Sequence, residues 1–164
     1  MFDDLRIGVL PPGPRYPVPT VRVWINGAEA IEEAVGPGGR GRPAVVLLPD
    51  GRPSPLRATE EPRRVVLGEP ACTGGCCGWL SVVVWRCGGV VEWADWEAPA
   101  LEQPPPAYHF DAGAYDAELA RAERARRREV YPAEAGSAGS AAGSAGSTAV
   151  SETVPSSATD QPGL

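Results

Sequence analysis

The chain has 164 residues and a mass of 17.1 kDa, and 19 of its residues are Pro and 20 are Gly. That length suits one ordinary domain and excludes a two-domain enzyme of the usual size. All 15 basic residues are Arg and face 21 acidic ones, a net charge of -6 that opposes condensation on a phosphate backbone and makes nucleic acid a poor partner.

The Arg, Ala, Gly and Pro usage points to a GC-rich, bacterial coding bias. Met1-Phe2-Asp3-Asp4-Leu5-Arg6 starts acidic and runs into Pro11-Pro12-Gly13-Pro14, lacking the basic segment and long apolar core of a signal peptide. Apolar runs such as Ala44-Val45-Val46-Leu47-Leu48 are far short of the ~20 residues of a membrane helix. The expectation is a soluble cytoplasmic protein without membrane contact, in which Cys72, Cys76, Cys77 and Cys87 stay reduced.

Residues 1–20 read as a Pro-rich N-terminal segment. The first strand is predicted at Val21 to Ile25, whose alternation puts Val21, Val23 and Ile25 on one face. Asn26 then reads as a helix cap with Glu29 as its capping-box partner, Ala28 to Val35 as a short helix, and Gly36 as its stop. Gly36-Pro37-Gly38-Gly39-Arg40-Gly41 spells G-x-G-x-x-G. A helix-like stretch precedes it and a strand-like one follows, the reverse of a dinucleotide-binding loop, so it reads as a flexible loop. Ala44 to Pro49 and Arg64 to Gly68 are short strand candidates.

The clearest element is an antiparallel hairpin, Leu80 to Trp85 and Val90 to Trp96 around Gly88-Gly89. A two-residue turn sets Cys87 opposite Val90 and Val84 opposite Trp93. One face then holds Leu80, Val82, Val84, Val91 and Trp93, the expected core; the other holds Val83, Trp85, Val90 and Trp96 with Ser81 and Glu92. Pro99 to Pro106 reads as an extended connector. A last helix is predicted over Ala112 to Val130, capped by Asp111, with Tyr115, Leu119 and Ala122 as a narrow apolar stripe and its Arg-rich second half in water. Beyond Pro132 the composition turns to Gly, Ser and Ala. The domain reading is one α+β domain over 1–132, a small antiparallel sheet with a short and a C-terminal helix, and a disordered tail over 133–164.

Three candidate chemistries follow. Cys72-Thr73-Gly74-Gly75-Cys76-Cys77 could wrap thiolates round zinc, with Cys72 and Cys76 or Cys77 as ligands and Cys87 plus either the other vicinal thiol or His109 completing the set, although Cys87 lies at the hairpin tip about 25 Å away. No other cofactor is expected. A thiol-dependent enzyme would need His109, the one histidine, beside a cysteine. The leading expectation is a small non-enzymatic binding or accessory module. Trp24, Trp85 and Trp96 would share one sheet face and meet a protein partner there, Trp being a frequent interface anchor.

Cys72 to Gly78, Leu80 to Val84, Val91-Glu92-Trp93 and Tyr108-His109-Phe110-Asp111 leading into Tyr115 to Leu119 together resemble a group of uncharacterised actinobacterial small proteins. Those carry a C-x-C-G-x-x-G-C-G-like turn, a Val-rich hairpin and a terminal helix. Pro70 stands where the first cysteine of that turn would fall, while Cys72 and Cys77 are in place. The resemblance spans about 63–125 loosely and implies no activity.

Overall fold

A computed structural model describes residues 1–14, 16–71, 78–98 and 101–130. The chain is α+β. β1 (Leu5–Leu10), β2 (Thr20–Ile25) and β3 (Ala28–Glu29) form a three-stranded antiparallel sheet in that order. After α1 (Ala30–Val35) come β4 (Arg40–Gly41), the single-turn helix α2 (Ala44–Leu47), β5 (Arg63–Glu69), β6 (Leu80–Cys87), β7 (Val90–Glu97) and β8 (Tyr108–Asp111), followed by α3 (Ala112–Val130). Strands β4 to β8 form a five-stranded antiparallel sheet in sequence order.

The two sheets meet at two corners. Val21 N–H donates to Arg42 O and Ala44 N–H to Pro19 O, which ties the start of β2 to the residues after β4. At the opposite corner Asp3 N–H donates to His109 O, joining the lead-in of β1 to β8. The strands therefore curl round a common core that includes Val21, Val23, Leu67, Val82, Val91 and Trp93. Gly41 makes the first corner possible, because a Cβ there would lie 1.7 Å from the Val21 carbonyl oxygen.

The hairpin of β6 and β7 has the expected register, Cys87 opposite Val90 and Val84 opposite Trp93, and Leu80, Val82, Val84, Val91 and Trp93 are all buried. Helix α3 spans the expected residues, and Asp111 Oδ1 accepts from Ala114 N–H at 2.9 Å as its cap. Tyr115, Leu119 and Ala122 are buried as the stripe requires.

Several expectations are corrected. Residues 5–10 form a strand rather than a Pro-rich lead, since their backbone groups pair with all of β2. Asn26 is no helix cap: Asn26 and Gly27 both have positive φ, at 53° and 84°, and form the turn of the β2–β3 hairpin. The cap of α1 is Glu29, whose carboxylate accepts from Glu32 N–H at 2.5 Å and meets Arg22 at 3.1 Å. Ala44 to Leu47 is helical, because Leu48 N–H turns back to Ala44 O. The second half of α3 is not wholly in water. Arg126 is buried and reaches Asp50 at 2.7 Å.

Trp96 does not lie on the outer face of the hairpin. β7 carries one extra residue relative to β6, its pairing slipping between Val83↔Ala94 and Ser81↔Glu97. Asp95 absorbs the bulge at φ 47°, and Arg64 Nη1 donates to its carbonyl at 2.8 Å. An extra residue reverses the alternation beyond it. Trp96 consequently turns to the Trp93 side, 8% exposed, its ring 6.0 Å from that of Trp93.

Candidate binding groove

The three tryptophans expected on one face occupy three places. Trp24 belongs to the three-stranded sheet and lies across Gly8, where a Cβ would come 2.7 Å from its ring. Trp85 sits half-buried opposite Glu92 on the side of the hairpin away from the core. Trp24 lines a shallow depression with Ile7, Gly8 and Arg121, while Trp96 lines a separate, concave apolar groove. Cys72, Cys76 and Cys77 lie outside the described residues. Cys87 is an exposed free thiol at the hairpin end, and His109 Nε2 lies 3.3 Å from Glu92. Among the described residues no three His, Cys, Asp or Glu side chains cluster as a metal site, and no helix is long and apolar enough to cross a membrane.

The concavity is a groove of 310 Å³ between α1, the β2–β3 hairpin and the loop that joins β7 to β8. That volume is at the lower end of the range of about 300–1,000 Å³ typical of ligand sites. Trp96 lies at its base, delivered there by the Asp95 bulge and fixed by a hydrogen bond from its Nε1 to Pro106 O at 3.0 Å. Tyr108, the first residue of β8, stands edge-on to Trp96 with ring centroids 6.0 Å apart and planes at 89°. Such T-shaped pairs are mutually favourable, which holds both rings in fixed positions.

The opposite wall is Ala30 and Ala34 of α1, with Ile25 and Ala28 from the hairpin. Small side chains on this wall keep the groove open. Leu101, Gln103, Pro105 and Pro106 close the remaining side, and Leu101 is exposed, its N–H held by Ala98 O. Among the described residues Glu33 is the one charged residue lining the groove. Burial pushes the Tyr108 phenol above its ordinary pKa, and the negative charges of Asp3 and Glu33 push it further in the same direction. Tyr108 is therefore a neutral hydroxyl at physiological pH.

A wider depression of 480 Å³ separates residues 3–6 from α3. Two of its charged groups, Glu118 and Arg121, are engaged with β1. Glu118 Oε1 accepts from Ile7 N–H at 2.6 Å, Arg121 Nη2 donates to Ile7 O at 2.5 Å, and the two side chains pair at 2.7 Å. Together they occupy the outward N–H and C=O of Ile7 much as a neighbouring strand would.

Of the groove, the sequence pointed only to Trp96, and to the wrong face. Leu101 and the prolines read as connector, and Tyr108 as part of a strand entering the last helix. The available signal was a proline run, Pro104-Pro105-Pro106, set between two tryptophan-bearing strand residues and an aromatic pair, a composition that builds rigid apolar walls. No protein-family model matches the chain, and no curated protein or solved structure matches it.

Proposed function

We propose that the protein is a small non-enzymatic binding module that accepts an extended segment of a protein partner in the groove floored by Trp96. The observation that carries this reading is the groove itself, a concave apolar surface with two positioned aromatic rings and three polar groups, Glu33, Gln103 and the Tyr108 hydroxyl, at its edge. Apolar concavities with a few polar groups are the usual form of recognition sites. Aromatic anchors contribute strongly at protein interfaces, and extended segments dock in aromatic-lined apolar grooves.

Selection of peptides from a display library tests the reading. Ala28 is exposed at the groove wall, so Ala28→Trp fills the groove from outside the core. Peptides selected on the wild type should fail to bind Ala28→Trp and should bind Trp85→Ala with unchanged affinity, because Trp85 lies on the other side of the hairpin. Peptides that bind Ala28→Trp as well as the wild type would place recognition elsewhere and end this proposal.

A further inference from the structure

The charge and hydrogen-bonding character of the groove narrows its occupant, on the reading that the groove is the binding site. Among the described residues Glu33 is its one charged lining residue, and no Arg lines it. Glu33 is exposed on α1 and forms no ion pair among the described residues, whereas its neighbours Glu29 and Glu32 both meet Arg22. The loop side adds a second, independent feature. Pro105 and Pro106 on this wall offer carbonyl acceptors and no backbone N–H donors, and the Leu101 N–H is taken by Ala98 O. One of those carbonyls, Pro106 O, is taken by Trp96. A ligand matching these features carries positive charge, several donors and an apolar or planar body that rests on aromatic rings.

We infer that the groove takes an extended peptide anchored by an arginine, whose guanidinium meets Glu33 and whose stem lies against Trp96 and Tyr108. Arginine fits better than lysine. Its planar fork presents five donors, enough for a carboxylate and a proline carbonyl together, and it stacks on aromatic rings. Its three methylenes cover apolar surface while the charged end stays at the exposed Glu33. The net charge of -6 favours approach of such a peptide at low salt.

Three capped peptides of one length test the inference: acetyl-Gly-Leu-Arg-Pro-Leu-Gly-amide, the same peptide with citrulline for Arg, and the same with Glu. Citrulline keeps the shape of arginine and removes its charge. Binding is followed through the Trp96 indole N–H in proton–nitrogen correlation spectra, assigned with Trp96→Phe. The arginyl peptide should bind about fivefold more tightly than the citrullinyl one, the range of a partly exposed ion pair, and the glutamyl peptide should bind most weakly. Glu33→Gln should bring the arginyl and citrullinyl peptides to equal affinity.

Equal binding of arginyl and citrullinyl peptides by the wild type, or an arginine preference that survives Glu33→Gln, overturns the inference and leaves the groove reading standing. If none of the three moves the Trp96 signal while display-selected peptides do, the arginine anchor is likewise overturned. If the selected peptides also leave Trp96 unmoved, both the inference and the groove reading fall.

Discussion

Single residues decide where the chemistry of this chain sits. Asp95 adopts a left-handed conformation that most side chains resist, and in doing so moves Trp96 from the outer face of the hairpin to the groove floor. Glu118 works at the same scale. Burial alone raises its carboxyl pKa, and the Arg121 guanidinium, the Ile7 N–H and the nearby Arg6 charge outweigh burial to leave it below the ordinary carboxylate range. A depressed folded-state pKa contributes stability that is present above the unfolded value of about 4.3 and is lost as pH falls below it. Glu118→Gln should therefore lower stability at pH 7 by about 1–2 kcal/mol, the scale of a hydrogen bond to a charged group, and make unfolding less steep in acid. Urea titrations of both proteins between pH 3 and pH 7 check this, and parallel pH profiles would contradict it.

At the scale of elements, α3 is held to the core by Tyr115. Its hydroxyl donates to Leu56 O at 2.6 Å and accepts from Trp93 Nε1 at 3.2 Å, so a helix, a loop and a core strand converge on one buried group. Burial pushes this phenol far above its usual pKa. A raised folded-state pKa gives stability that is full below the unfolded value of about 10 and declines as pH rises above it. Tyr115→Phe should cost about 1–2 kcal/mol near neutrality through the unpaired Leu56 carbonyl, and should flatten the decline above pH ~10. Thermal melts at pH 7 and pH 10.5 are the measurement. Elements were also the scale most legible in the sequence. The β6–β7 register could be read because Gly88-Gly89 fixes a two-residue turn and the apolar alternation admits one core face. Helix α3 could be read because the Asp111 cap and the apolar stripe agree. Asn26-Gly27 was misread because Asn followed three residues later by Glu satisfies a capping box, while the same dipeptide builds a hairpin turn. Ala44 to Leu48 is an apolar run too short for its period to distinguish strand from helix. The burial of Arg126 depends on Asp50, a partner remote in sequence that an Arg run does not announce.

At the scale of the whole molecule, the two sheets close on each other at the Val21–Arg42 and Asp3–His109 corners, and the groove forms where α1 and the 101–108 segment face each other across the end of β7. Its lining comes from a hairpin, a helix, a strand end and a loop, which is why no stretch of sequence displays it. The chain's 19 prolines include Pro105 and Pro106, which build one wall of the groove. The central claim is that recognition happens there. The most direct test is to titrate a display-selected peptide into the isotopically labelled protein and map the backbone amide and indole shifts. The largest shifts should fall on residues 28–34, Trp96, Leu101, Gln103 and Tyr108, with Trp85 and Val83 unmoved. Shifts gathered instead round Trp85 and Val83, on the outer face of the hairpin, would contradict the account.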